Sequence, residues 1–463
     1  AVRDLTRTFP KEYTNGPAYL KRLDSIPVGL AERLAKYDAS AIPAAKEIAA
    51  FSTKALLENP LLDFDRLLLV RRKASNLGLP ANWQSNSMLR KNGYGNDLAV
   101  LSPVRPGGKI TTLYRPADDG FVGDVDLHPD GDRVLFSKSD PKGPWQVYEY
   151  GLAGGTPPQQ VSPEAEPFIN NYDACYLPDG DILYTSTAAM VAVPCVYGST
   201  PVAHLFRLDR ETGASRQISF DQEHAWCPTV LNNGRILYLR WEYADLPHAN
   251  SRILFHCNPD GTSQMEYYGS NSYWPNSTFY VRAIPDHPSK FVGIISGHHG
   301  VPRMGELIIF DPAVGEQEAD GVVQRIPGYG QKVEPIIRDR LVDDSWPKFL
   351  HPYPLSENYF LVSCKISSSA PWGVYLVDIF DNMVSILVED GVAMLEPVPL
   401  KKTPRPQVIP SNVDTDRKDA VVQILDIYEG GGLEGVARGT VKQIRLYAFD
   451  YGYHGLANHT YIG

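Results

Sequence analysis

Residues 177–186 read LPDGDILYTS, a tight turn that runs at once into a short apolar stretch. The phrase returns as HPDGDRVLFS at 128–137 and as LNNGRILYL at 231–239, and looser copies stand at 284–295 and 353–363. The turn glycines of the first three copies are 49 and then 54 residues apart. Asp-Gly and Asn-Gly favour hairpins because glycine adopts positive φ easily. Four strands in each repeat of about 40 to 55 residues are typical of a β-propeller. The sequence therefore predicts an all-β propeller of six blades, and seven blades are an open alternative.

Each repeat divides into four antiparallel strands, A to D. In the third repeat they are predicted at 172–176, 182–186, 204–208 and 216–220. Because strand direction alternates, the A–B and C–D turns share one face of the propeller, and the B–C and D–A loops share the other. The turns are short, whereas the loops are long and rich in polar and aromatic residues. Since loops on a rigid scaffold often carry function, the sequence places the working face at the B–C and D–A loops.

The two ends of the chain differ from the repeats. Good helix formers with helical periodicity at 31–37 and 44–59 predict a helical N-terminal segment. The Pro-rich stretch 401–412 predicts an extended linker, and 420–428 and 439–450 are predicted strands of a partial C-terminal β segment. The predicted domains are a helical cap over 1–66, the propeller over 67–400, and the linker with the C-terminal β segment over 401–463.

Composition narrows the class of partner. The net charge of −10 argues against a nucleic acid. With no run of about 18 apolar residues, the sequence predicts no membrane span. The five cysteines are scattered, so at least one is expected to be free or bound to something other than a second cysteine. No signal peptide is visible, and the start at Ala1 fits a processed N-terminus.

Several longer phrases carry a family resemblance. They read WCPTV at 226–230, RWEY at 240–243, MEYYGSNSYWPN at 265–276, SGHHGVPRMGEL at 296–307, DDSWPKFLHP at 343–352 and VARGTVK at 436–442. From about Leu57 to Tyr453 the sequence resembles the family of the hydrazine synthase alpha subunit. Members of that family are mostly exported bacterial proteins. The resemblance therefore implies a periplasmic or extracellular location, and partner subunits are an open expectation.

The resemblance has one departure that matters for chemistry. In hydrazine synthase the alpha subunit attaches c-type haem through a Cys-x-x-Cys-His motif, in a region that the resemblance puts after the end of this sequence. No such motif occurs in these 463 residues. We therefore expect no covalent c-type haem in this chain, and zinc or calcium stay open as cofactors.

Several lyase families are propellers that use histidine, tyrosine and arginine at one mouth of the channel. By analogy of fold and residue type, the basic and aromatic residues in the predicted loops suggest an enzyme that cleaves uronate-containing glycans by β-elimination. An arginine can neutralise the uronate carboxylate, which eases removal of the C5 proton by a histidine or tyrosine. The candidate catalytic residues are His298, His299, Tyr243, Tyr273 and Arg240. The candidate substrate-binding residues are Arg303, Trp241, Trp274, Trp346, Lys348 and His351. Packing between blades and hydrogen bonds from loop histidines to the backbone are the competing structural explanations.

A second set of residues has ligand types suited to zinc. His224 and Cys227 stand three residues apart, and Cys195 in the neighbouring B–C loop together with His298 extends them to a tetrahedral nitrogen and sulfur set. Without a Cys-x-x-Cys pair, the alternative is that Cys175, Cys227 and Cys364 are small buried strand residues. Three acids in the A strands are candidates for channel acids, metal ligands or hydrogen bonds between blades: Asp124, Asp126 and Asp173.

The sequence thus leaves three classes of function. The first is a lyase that acts on uronate-containing glycans. The second is the haem-free part of a redox subunit like that of hydrazine synthase, which would hold partner subunits. The third is a binding propeller without chemistry of its own. In each case the expected ligand is a glycan or another small molecule.

Overall fold

The repeats form a six-bladed β-propeller. A computed structural model describes residues 1–26, 28–193, 196, 198–242, 252–419, 421–429 and 431–446. Across these ranges, 24 strands build six four-stranded antiparallel blades, and the two blades in mid-chain touch through one parallel bridge between Arg252 and Ser277. The predicted propeller is confirmed, with six blades in the described part of the chain.

The first blade closes the ring with strands from both ends of the repeat region. It contains β1 (Leu67–Lys73), β2 (Asp97–Ser102), β3 (Lys109–Tyr114) and, as its innermost strand, β24 (Val392–Pro399). Strand β24 runs antiparallel to β1, with Leu67 opposite Pro399. The hairpin phrases do not reveal this pairing because its two strands are so far apart in sequence.

Each of the other five blades is continuous in sequence. The second consists of β4 (Val122–Leu127), β5 (Arg133–Ser139), β6 (Trp145–Gly151) and β7 (Gln159–Gln160), and the third of β8 (Asn171–Tyr176), β9 (Ile182–Ser186), β10 (His204–Leu208) and β11 (Ser215–Gln217). The fourth consists of β12 (Ala225–Val230), β13 (Ile236–Trp241), β14 (Arg252–Cys257) and β15 (Met265–Tyr268). The fifth consists of β16 (Ser277–Ala283), β17 (Phe291–Ser296), β18 (Glu306–Phe310) and β19 (Val322–Ile326), and the sixth of β20 (Lys348–Pro354), β21 (Tyr359–Lys365), β22 (Gly373–Asp378) and β23 (Met383–Leu387).

The innermost strands follow one another round the channel. Each contacts the next in the order β4, β8, β12, β16, β20, β24 and back to β4. In a ring of six, strands three places apart face each other across the channel. Strand β4 therefore faces β16, β8 faces β20, and β12 faces β24. The apolar core lies between adjacent blades, as where Val70 of β1 and Val134 of β5 share one buried cluster.

The N-terminal segment is helical, as the sequence predicts, and has two more helices than its periodicity indicates. The helices are α1 (Val2–Thr8), α2 (Gly16–Asp24), α3 (Leu30–Ala35) and α4 (Ile42–Leu57). Leu5 of α1 and Ala55 of α4 share a buried cluster with Leu69 of the first blade and Tyr359 of the sixth. The helices thus cover the outer side of the seam where the ring closes. No helix within the described ranges is long and apolar enough to span a membrane.

The predicted C-terminal β segment is wrong for the residues that the structure describes. Residues 421–429 and 439–446 contain no strand, while Ala420 and 447–450 lie outside the described residues. Val421 and Leu425 are exposed, so their apolar pattern finds no neighbouring strand to pair with. A strand pattern without a partner edge does not form a sheet.

The Pro-rich segment 401–412 is extended and lies on the face of the A–B and C–D turns. Thr403 N donates to Pro129 O at 2.9 Å, and Asn412 N donates to Asp260 Oδ2 at 2.6 Å. Its contacts therefore run from the A–B turn of the second blade to the C–D turn of the fourth.

Gly234→Ala is expected to detach this segment from the fourth blade. Gly234 has φ +83°, and a Cβ there would lie 2.0 Å from Gln407 O. Gly180 occupies the equivalent turn of the third blade at φ +100° with nothing within 4 Å. Gly180→Ala is therefore a matched control that carries the backbone strain without the clash. Limited trypsin digestion should cleave after Lys402 faster in Gly234→Ala alone, and equal cleavage rates in both variants would contradict the contact.

Candidate functional site

Six side chains meet in the channel, one from each blade, at the same place in each innermost strand. They form the inner ring, which consists of Asp124, Asp173, Cys227, Tyr280, His351 and Glu396. All six residues have positive φ, between 48° and 55°, and each stands at a break in the register between its strand and the next one outward. Such β-bulges turn a side chain away from its normal direction. The ring therefore owes its shape to a backbone feature that is repeated six times.

A second ring lies two residues further along each strand, toward the A–B turns. It consists of Asp126, Cys175, Thr229, Arg282, Tyr353 and Val398. The inner ring and most of the second ring line one cavity of about 100 Å³. Arg72 and Arg303 also line the cavity. The site thus combines four carboxylates with three guanidinium groups in a small volume.

Carboxylates of the two rings bind the backbone of the next blade. Glu396 Oε2 accepts from Val125 N at 2.7 Å, and Asp173 Oδ2 accepts from Cys227 N at 2.9 Å. Asp126 Oδ2 accepts from Tyr176 N at 2.9 Å. Hydrogen bonds between blades, one of the alternatives for these acids, are therefore present, and the same acids also line the channel.

Burial sets the protonation of the inner ring. It raises the pKa of Asp173 to about 7, and the nearby Asp124 carboxylate adds to the rise while Arg303 opposes it. It likewise raises the pKa of Glu396 to about 7, again with a contribution from Asp124. Burial lowers the pKa of His351 well below its usual value. The ring therefore holds acids that titrate near neutral pH beside a histidine that stays neutral.

Arg303 is the one predicted binding residue that enters the channel from a loop. Its Nη1 lies 3.1 Å from Cys227 Sγ, and its guanidinium carbon lies 4.4 Å from the centre of the Phe279 ring. Only 3% of Arg303 is exposed. It places a positive charge against the inner ring on the side of the B–C and D–A loops.

A loop covers that side of the channel. The covering loop, residues 74–96, connects β1 with β2. Asn82 Nδ2 donates to Gly297 O at 2.7 Å, Asn86 Nδ2 donates to Asp124 Oδ2 at 2.6 Å, and Arg303 Nη2 donates to Gln84 O at 2.6 Å. The sequence predicts the working face on this side of the channel. In the described residues this side is covered, because the B–C loop of the first blade is long enough to fold across the ring.

The candidate catalytic histidines lie apart from the inner ring. His298 is 7% exposed, and its Nδ1 lies 2.6 Å from Arg252 Nη1. His299 is exposed and lies 2.9 Å from Asp339 Oδ1. Burial lowers the pKa of Arg252 to about 9. His298 therefore belongs to a buried polar cluster and His299 to the surface.

The other candidates for β-elimination are also dispersed. Arg240 pairs with Asp221 at 3.0 Å, and Trp241 and Trp274 are both 2% exposed, in the core. Tyr273 is partly exposed, and its backbone N–H donates to Glu318. Tyr243 lies outside the described residues. The described part of the chain thus does not bring the predicted catalytic set together.

Two predicted binding residues are held at the rim of the sixth blade. Lys348 is buried, and its ammonium group donates to the carbonyls of Val342, Asp343 and Ser345. Trp346 is 40% exposed and has the Lys348 ammonium 4.8 Å from its ring centre. The contacts of Lys348 are thus made within the rim rather than with the inner ring. His351, by contrast, lies in the inner ring.

The described members of the predicted zinc set do not form a metal site. His224 Nδ1 accepts from Ala203 N at 2.9 Å, and burial lowers the pKa of His224 to about 3. Cys227 faces the channel, where Arg303 would repel a cation. Cys195 lies outside the described residues. In the described ranges no three His, Cys, Asp or Glu side chains are placed to hold a metal ion, and Cys175 and Cys364 are buried and free, as their alternative explanation predicts.

The channel residues that sequence reasoning missed include Tyr280, Glu396, Arg72 and Arg282. A signal for the inner ring was available in the hairpin phrases. Asp124, Asp173 and Cys227 each stand seven residues before the turn glycine of their own blade. The same offset from the looser turn at 286–287 reaches Tyr280. A fixed offset from a repeated turn therefore locates side chains that share one level of the channel.

Comparison with known proteins supports the fold and no more. No family model matches the chain, and no curated protein matches it. Among solved structures it is similar to hydrazine synthase from Kuenenia stuttgartiensis, with 14% identity and a TM-score of 0.56 over 76% of this chain and 49% of that one. It is also similar to TolB from Acinetobacter baumannii (11% identity, TM-score 0.47, 74% of this chain and 69% of that one). A third is oligogalacturonate lyase from Vibrio parahaemolyticus (14% identity, TM-score 0.38, 70% and 90%). The chain spans about half the length of the hydrazine synthase chain, and these neighbours are propeller proteins.

Proposed function

We propose that this protein binds a small polar molecule in the channel and exchanges a proton with it through the inner ring. One observation carries the proposal. Six equivalent bulges, each with a non-glycine residue at positive φ, aim six side chains of titratable type at one cavity. Positive φ is unfavourable for such residues, and backbone strain of this kind is often kept where a site needs it.

The protonation of the ring suits acid–base chemistry. A group that exchanges a proton at neutral pH works best when its pKa lies near 7. Asp173 and Glu396 have that property, because burial raises the pKa of each to about 7. Either carboxyl group can then donate a proton to a ligand or accept one from it.

The size of the cavity limits the ligand. A cavity of about 150 Å³ can hold a benzene molecule, and this one measures about 100 Å³. By the same measure it accommodates about four or five heavy atoms, fewer than a uronate residue contains. β-Elimination on a uronate glycan is accordingly the weaker proposal, and no contact among the described residues favours it.

The remaining expectations rest on the sequence resemblance. They are a role as the haem-free part of a redox subunit, an association with partner subunits, and a periplasmic or extracellular location. The similarity to hydrazine synthase is one of fold at 14% identity. The redox-subunit role, the partner subunits and the location therefore remain proposals with less support than proton exchange in the channel.

The test is a calorimetric titration of small polar molecules, preselected by their effect on thermal unfolding. Each is titrated at pH 7 in two buffers that differ in ionisation enthalpy. A buffer-dependent heat that falls at least twofold in Glu396→Gln would support proton exchange through the ring. Asp320→Asn is the matched control, since Asp320 is exposed on the fifth blade. The proposal fails if no small molecule binds the folded protein. New ultraviolet absorbance from uronate glycans would establish the lyase in its place.

A further inference from the structure

Arg282 places an unpaired positive charge in the channel. It lies in the second ring on β16 and lines the cavity. Its guanidinium carbon lies 5.5 Å from the centre of the Tyr353 ring. In the described part of the chain its guanidinium forms no ion pair or hydrogen bond. Arginine has five N–H donors in a planar fork that matches a carboxylate, so Arg282 is free to take one from a ligand.

Asp126 occupies the matching position on the opposite side. It lies on β4, which faces β16 across the ring of six innermost strands. One oxygen, Oδ2, accepts from Tyr176 N, and the other accepts no hydrogen bond from the residues that the structure describes. Arg282 lies near enough to lower the pKa of Asp126, against the larger effect of burial. The two side chains nevertheless form no ion pair, so a gap separates them.

The walls around this pair have different charge. Asp124, Asp173 and Glu396 lie on the second, third and first blades, next to or on the wall that carries Asp126. The inner strands of the opposite three blades contribute Cys227, Thr229, Tyr280, Arg282, His351 and Tyr353, with no carboxylate among these positions. Among the innermost strands of the described residues, the cavity thus has an acidic wall and, facing it, Arg282 as the charged strand residue. Arg72, on the first blade, and Arg303, from the loop of the fifth blade, also line the cavity.

We infer that the channel holds a small zwitterion, with its carboxylate on Arg282 and its ammonium group on Asp126. The inference rests on the proposed function and names its ligand class. A molecule with both charges can pair with Arg282 and Asp126 at once, whereas a simple anion pairs only with Arg282 and a simple cation only with Asp126. The cavity of about 100 Å³ limits the ligand to about the size of the smallest α-amino acid, glycine.

Three small probes distinguish the carboxylate-binding part of this site from the ammonium-binding part. Glycine carries both charges, acetate carries the carboxylate alone, and methylamine carries the ammonium group alone. Calorimetric titration of the full chain at pH 7.5, in a low-salt buffer, gives the three dissociation constants. We expect glycine to bind at least tenfold more tightly than acetate or methylamine, because a bidentate arginine–carboxylate contact and a charged hydrogen bond act together.

Two variants assign the ends of the ligand. Arg282→Gln should weaken glycine and acetate at least tenfold and leave methylamine unchanged. Asp126→Asn should weaken glycine and methylamine and leave acetate unchanged. Arg282→Lys keeps the charge and should retain part of the glycine affinity, which separates a loss of recognition from a loss of fold. Arg105→Gln, on the exposed turn before β3, is the matched control.

Each other outcome overturns the inference. If acetate binds as tightly as glycine and Asp126→Asn has no effect, the channel is an anion site. If none of the three probes binds the folded protein while another small molecule exchanges a proton with the inner ring, this inference fails and the proposed function stands. If nothing binds, both fail.

Discussion

Replacing Arg303 by leucine is expected to lower the free energy of unfolding by about 3 to 5 kcal/mol, the range for removing one partner from a buried charged cluster. The substitution leaves Gln84 O without its donor and removes the positive charge that opposes the raised pKa of Asp173. Arg303 has φ +58°. Arginine and leucine both have a Cβ, so this backbone strain is about the same in wild type and variant. Urea unfolding of both proteins measures the difference.

The matched variants for this prediction are Arg303→Lys and Arg105→Leu. Lysine keeps the charge without the planar fork, so its loss should fall between wild type and leucine. Arg105 is exposed, and its loss should stay within about 0.5 kcal/mol. The leucine variant should also speed amide hydrogen exchange at 82–86 in the covering loop. A loss below about 1 kcal/mol with unchanged exchange would mean that Arg303 does not hold the loop to the ring.

Asp173→Asn is expected to make the protein more stable than wild type, and the stabilisation should be larger at pH 8 than at pH 5. The folded pKa of Asp173 is about 7, above the value of about 3.9 for an unfolded aspartate. Its contribution to stability is therefore fully present below pH 4 and is lost as the pH rises through 7. Asparagine does not ionise, and it keeps an oxygen that can accept from Cys227 N, so it avoids this loss.

The stability of wild type should fall by up to about 1.36 kcal/mol for each of the two pH units between pH 5 and pH 7. Solvent near the carboxylate reduces this loss. The variant should therefore gain on the order of 2 kcal/mol relative to wild type between pH 5 and pH 8. Urea unfolding of wild type, Asp173→Asn and the exposed control Asp320→Asn at pH 5 and 8 measures it. A difference between variant and wild type that does not change with pH would mean that Asp173 is ionised at both. The ring would then lack the proton that the proposed function requires.

The sequence predicts those parts of this fold that depend on local contacts. A hairpin turn and the strand that follows it are set by neighbouring residues, so the phrase at 177–186 correctly indicated β9 (Ile182–Ser186) and its blade. The closing pair of β1 and β24 was not predictable from a repeat, because no local signal connects Leu67 with Pro399. The covering loop was missed for a similar reason, since its hydrogen bonds reach a loop more than two hundred residues away, as between Asn82 and Gly297.

The candidate site was predicted only in part. Residue type suggested Arg303, His351 and Cys227, which do line the channel, yet it also suggested Trp241 and Trp274, which are core residues. The sequence alone does not distinguish an aromatic or basic residue that packs between blades from one that faces a ligand. In the innermost strands, a bulge determines whether a side chain packs between blades or faces the channel. A bulge depends on the pairing of two strands rather than on the identity of one residue.

The pairing of β24 with β1 also bears on how the chain folds. Five blades consist of strands that are neighbours in sequence and can form with little loss of chain entropy, whereas the first blade must bring Leu67 and Pro399 together. Contacts between distant residues slow folding, because the chain loses entropy before the contact forms. The ring is therefore expected to close late, after the other blades have formed. Once it is closed, neither terminal strand of the ring can fray without breaking the first blade.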